Sequence, residues 1–85
     1  NLERRKPLNK ALFEVWSVIL AKLSENDRDK LLQYKTILWH KFVNIMQTDP
    51  IFMASITSAT GDKTRIIYRH NTINSLVKYV LEYDK

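Results

Sequence analysis

The chain has 85 residues, 45% of them apolar, with a net charge of +5 and no cysteine; that is enough for one small core, and it excludes disulfides and thiolate metal sites. One glycine and two prolines supply too few turn residues for a strand-rich fold, and predict an all-α one. No apolar run reaches the roughly 20 residues of a membrane span, and with no signal-peptide pattern either, a cytoplasmic setting is expected.

The chain opens at Asn1 with a charged stretch and reads as a piece of a longer protein forming a single helical domain over residues 1–85. Residues 1–7 are a basic lead-in. Arg4, Arg5 and Lys6, with Lys10 beyond, stand against Glu3 alone. Such a segment suits either phosphate contacts or a solvated linker. Pro7 fits a first helical turn, where its missing N–H has no partner to lose. From Leu8 to Leu23 the pattern is helical, with Leu8, Leu12, Trp16, Ile19 and Leu23 on one stripe. Phe13, Val15, Val18 and Leu20 widen that stripe over most of the circumference, which predicts a central helix with neighbours on several sides.

Ser24 followed by Glu25 and Asp27 is a strong helix start: a serine cap with acids in the first turn. This helix is expected to run unbroken to about Gln47, burying Leu31, Leu38, Phe42 and Ile45, with Leu32, Trp39, Val43 and Met46 alongside. Asp49 and Pro50 then cap and open a short helix ending near Ser58, with Ile51, Phe52, Met53 and Ile56 as its apolar face. Gly61 is expected to supply a positive φ at the exit. The last helix starts between Asp62 and Thr64 and reaches about Tyr83. Ile66, Ile73, Val77 and Val80 form its buried stripe, His70 falls on the same stripe, and Arg65, Arg69 and Thr72 share a different face. The predicted fold is thus an all-α bundle of three long helices plus one short helix, packed about Leu8–Leu23.

Chemistry is sparse. His40 and His70 stand apart, no His/Asp/Glu cluster has metal-ligand spacing, and no nucleophile has an evident base, so neither a metal, a cofactor nor catalysis is expected. Gly61-Asp62-Lys63-Thr64 fails as a phosphate-binding loop, because Asp62 separates Gly61 from Lys63 and a helix precedes it. A looser anion site remains, built from the helix N-terminus with Lys63, Thr64, Arg65 and Arg69. Asp62 weakens it, since its carboxylate competes for the same donors.

Two stretches carry a resemblance: Pro7-Leu8-Asn9-Lys10-Ala11-Leu12-Phe13-Glu14, and Phe52 followed by Ile56-Thr57-Ser58-Ala59-Thr60-Gly61 with the basic segment through Arg65 and Arg69. Together they resemble the C-terminal helical region of GmrSD-type restriction endonuclease relatives. In that family a ParB/sulfiredoxin-like N-terminal domain carries an Asp-Gly-Gln-Gln-Arg motif tied to nucleotide-dependent DNA cleavage; no such motif occurs in this chain. The resemblance implies a non-catalytic helical accessory module of a DNA-restriction or defence protein, whose partner is the N-terminal domain of the same parent; with Asp62 at the turn, weak DNA binding at most is expected. The alternative is an independent basic nucleic-acid-binding domain using Arg4, Arg5, Lys6, Lys63, Arg65 and Arg69. A continuous basic face favours the second, and an exposed apolar patch the first.

Overall fold

The computed structural model describes residues 10–83, which form five helices: α1 (Lys10–Ala21), α2 (Glu25–Gln33), α3 (Lys35–Thr48), α4 (Pro50–Thr57) and α5 (Lys63–Leu81). Among the described residues the fold is all-α, without a strand. The lead-in with Arg4, Arg5 and Lys6, and the first turn expected at Pro7 and Leu8, lie outside them.

The central helix is α5, not α1. It packs against each of the other four helices, and Ile73, Val77 and Val80 at i, i+4 and i+7 are essentially sealed from solvent, with Leu76 beside them. Helix α1 buries only the narrow stripe Ala11, Val15 and Ile19, while Phe13 and Val18 are exposed and Trp16 is half-buried. Its wide apolar girth therefore does not mean burial all round. Much of it faces outward.

The expected single helix from Ser24 to Gln47 is two. Ser24 caps α2 as anticipated, its Oγ accepting from the Asp27 N–H at 3.1 Å. Then Tyr34 leaves helical geometry at φ −104°, ψ 28°. The break lets Leu31 of α2 and Phe42 of α3 both reach the core around α5. Tyr34 also lies 5.7 Å, ring to ring, from Tyr83 just past the end of α5. No glycine or proline marks the break; tertiary packing makes it.

Asp49 and Pro50 open α4 as the sequence indicated. The Asp49 carboxylate accepts from the Ile51 and Phe52 N–H groups, both at 3.0 Å, which supplies partners for orphan donors of the first turn. Phe52 is fully buried and meets Phe42 edge to face at 6.2 Å, while Phe42 meets Trp16 the same way at 5.6 Å. These three rings tie α1, α3 and α4 together, in the geometry that aromatic quadrupoles favour.

The exit from α4 differs from expectation. Gly61 does not have a positive φ; the left-handed residue is Ala59, at φ 46°. A β-carbon added at Gly61 would meet nothing within 4 Å. The chain therefore turns two residues earlier than the glycine suggested, and Asp62, whose N–H closes on the Ala59 carbonyl at 3.0 Å, becomes the N-cap of α5.

Candidate functional site

The turn between α4 and α5 is where the sequence gathers hydroxyl and basic groups, and the structure assigns most of them to the turn itself. The hydroxyls of Ser55, Thr57 and Ser58 donate to the carbonyls of Phe52, Met53 and Ala54 within α4. Asp62 Oδ2 accepts from the Arg65 N–H at 3.3 Å, so the helix N-terminus expected to hold an anion already holds a carboxylate. Lys63 and Thr64 are exposed. Thr64 and Arg65 share a shallow cleft of about 540 Å³ with Asp62 and Tyr68, and Lys63 is not on its wall.

Arg69 is the largest correction. It lies on the buried face of α5 at 6% exposure, not on an outer face with Arg65. One terminal nitrogen, Nη1, donates to the carbonyls of Ser55 at 2.8 Å and Thr60 at 2.9 Å. Both acceptors result from the chain leaving α4: the last helical closure is Ser58 N–H on Ala54, so the Ser55 carbonyl needs another donor. No carboxylate pairs with the guanidinium among the described residues. Its charge is met by these two carbonyls and by the negative end of the α4 dipole. Arg69 fastens the turn from inside. The structure therefore does not bring Lys63, Arg65 and Arg69 to one point, and Arg4, Arg5 and Lys6 lie outside the described residues.

Behind the turn, Tyr68 Oη donates to Asp49 Oδ2 at 2.7 Å, linking the start of α4 to α5. This bond, then the Phe52 N–H, holds the Asp49 carboxyl below its ordinary value, and the same bond to Asp49 pushes the Tyr68 phenol up. His70 is half-buried and His40 exposed. No group of His, Asp or Glu among the described residues is placed to hold a metal ion.

Two apolar surfaces stand out instead. The larger is a groove of about 840 Å³ between α1, α2 and α3, floored by Trp16, Leu20, Leu31 and Phe42. Leu32 and Trp39 rise beside it at 66% and 59% exposure. Arg28, Asp29 and Lys35 stand on its walls. The Arg28 Nη1 is already engaged, donating to the Leu20 and Leu23 carbonyls at 3.2 and 2.8 Å and so closing the end of α1. The smaller surface, about 390 Å³, lies between α1 and α5, where exposed Val18, Ile66 and Ile67 surround Val15. Ile66 was expected in the buried stripe; at the first turn of α5 it instead faces this second hollow.

Compared with protein-family models, curated proteins and solved structures, the chain finds no match.

Trp39 and Leu32 were legible as apolar residues beside the buried stripe of a long helix. Their exposure follows from the break at Tyr34, for which the sequence carries no breaker residue. Of the described basic residues read as a candidate contact surface, Arg69 goes inside the fold, Arg65 is half-buried and Lys63 is exposed. The apolar ones gather into grooves.

Proposed function

We propose that this chain is a non-catalytic helical accessory module that packs against a neighbouring protein domain in the cytoplasm. On the resemblance to GmrSD-type proteins, that neighbour is the nuclease-like domain preceding it in the parent chain. The observation that supports this reading is the α1–α5 surface, where Val18, Ile66 and Ile67 stay exposed side by side. Contiguous apolar patches of this kind mark interaction sites, whereas single exposed apolar residues do not. The surface begins about one turn into α1, at Glu14 and Val15. A domain tethered through residues 1–9 would meet it at high effective concentration. The nucleic-acid alternative has less behind it, because Asp62 caps the helix N-terminus and Arg69 is buried.

The test is to express the preceding domain and this chain as separate polypeptides and measure their association by calorimetry. Val18→Asp and Ile67→Asp should each weaken it at least tenfold without loss of helical content. No association between the wild-type pieces would defeat the reading.

A further inference from the structure

The larger groove, between α1, α2 and α3, calls for an occupant of its own. Its long open side suits a protein surface better than a small molecule, which would need most of its own surface enclosed. It combines a hollow, floored by Trp16 and Phe42, with projections at Leu32 and Trp39. A surface with both can fit a rotated copy of itself.

The charges narrow the choice. Arg28 keeps its positive charge although its Nη1 lies on the carbonyls that end α1, so the walls carry one acid, Asp29, and two bases, Arg28 and Lys35. Asp29 and Lys35 are exposed, and among the described residues neither side chain takes part in a hydrogen bond or ion pair. A purely acidic partner would be repelled at Asp29, and a purely basic one at Arg28 and Lys35. In a two-fold assembly residue i meets j while j meets i, so Asp29 of each copy would face Lys35 of the other and both charges would be answered at once. We propose that this groove is a self-association face, occupied by the same groove of a second copy of the chain in a two-fold dimer, with Trp39 as its anchor. Exposed Trp residues of this kind dominate interface energetics. The inference stands apart from the proposed docking of a preceding domain, which uses the α1–α5 surface, so each can fail without the other.

The experiment is sedimentation of the whole 85-residue chain over a dilution series at about 0.15 M salt, where screening (a Debye length of roughly 8 Å) limits repulsion between like-charged copies. The expected result is a concentration-dependent shift from the mass of one chain to that of two. Trp39→Asp should abolish the dimer while keeping the helical circular dichroism of the monomer and lowering its melting temperature only slightly, because the side chain is largely exposed and gives up only a tilted ring contact with Phe42. Val18→Asp should leave dimerisation as it is. Asp29→Lys and Lys35→Asp should each weaken the dimer by roughly 3- to 10-fold, as partly exposed pairs formed twice over do. The Asp29→Lys/Lys35→Asp double variant should recover wild-type association. A chain that stays monomeric up to about 0.5 mM, a dimer that survives Trp39→Asp, or a double reversal no better than the single ones would each overturn the proposal. Loss of binding to the preceding domain on Trp39→Asp, in a chain that is monomeric throughout, would overturn it too and give the groove to that domain.

Discussion

Replacing Arg69 by methionine separates a structural cation from a surface one. Methionine keeps much of the apolar stem, so the change is chiefly loss of the guanidinium. Two carbonyls, Ser55 and Thr60, then lose the donor that reaches them at 2.8 and 2.9 Å. An orphaned buried polar group costs about 1–3 kcal/mol. Two of them come to about 2–6 kcal/mol, a large part of the ~5–15 kcal/mol of a whole domain. In a chain of this size each kcal/mol moves the melting temperature by roughly 4–8 °C, so Arg69→Met should melt at least about 10 °C lower, by circular dichroism. Arg69→Lys should recover only part of the loss, since an ammonium has no planar fork and a shorter reach. Arg65→Met, on the half-buried residue one turn earlier, should stay within about 0.5 kcal/mol of wild type. A surface phosphate ligand would behave oppositely, tolerating lysine and leaving stability alone. If Arg69→Met melts where wild type does, the account of the turn is wrong.

The turn itself gives two further tests. Ala59→Gly should stabilise by about 0.5–1 kcal/mol, because it relieves a β-carbon at φ 46° in the left-handed region. Gly61→Ala should also raise the urea midpoint, equivalent to about 0.4–1 kcal/mol, since its φ is not positive, there is open space around it and the unfolded chain loses freedom; a lower midpoint would restore the glycine as the hinge. Asp49→Ala should cost about 0.5–2 kcal/mol as a lost cap. Because the Asp49 carboxyl titrates below its ordinary 3.8, its contribution is fully present above that pH and is lost as pH falls through the lower folded value. Tyr68 titrates above its ordinary 10.0, so its contribution is present below pH 10 and is lost as pH rises through the higher folded value. Thermal scans across pH should show both edges flattened in Tyr68→Phe; unchanged edges would discount the pair. Duplex DNA should bind no tighter than the non-specific range, Kd about 10⁻⁴–10⁻⁶ M, and weaken steeply with salt. Submicromolar, sequence-selective binding would revive the nucleic-acid reading.

Capping chemistry was the most legible layer. Ser24, Asp49 and Asp62 each accept a first-turn N–H, because short polar side chains at helix starts act locally and need no knowledge of the fold. The core was half legible. Ile73, Val77 and Val80 were readable from spacing, but the burial of Arg69 was not, since an arginine goes inside only when carbonyls elsewhere in the chain need its donors. The break at Tyr34 and the left-handed Ala59 share that cause. Each is imposed by packing against α5 on residues whose own preferences lie elsewhere, and a local reading places the break nowhere and the turn at the nearest glycine. The groove was hidden with them, because an apolar residue beside a buried stripe looks the same in sequence whether it lies under a neighbour or next to a gap.

That the helix touching all the others follows the other four in sequence has a consequence during synthesis. Until α5 emerges, Phe42, Phe52 and Ile19 have no Ile73, Val77 or Val80 to close over them. At roughly 5–20 residues per second, the 19 residues of α5 take about 1–4 s to be made. Over that interval the first four helices expose the faces that later form the interior. A nascent chain stalled near Gly61 is therefore a natural client for a holding chaperone, and the arrival of α5, rather than of α1, is the moment at which the core of these five helices closes.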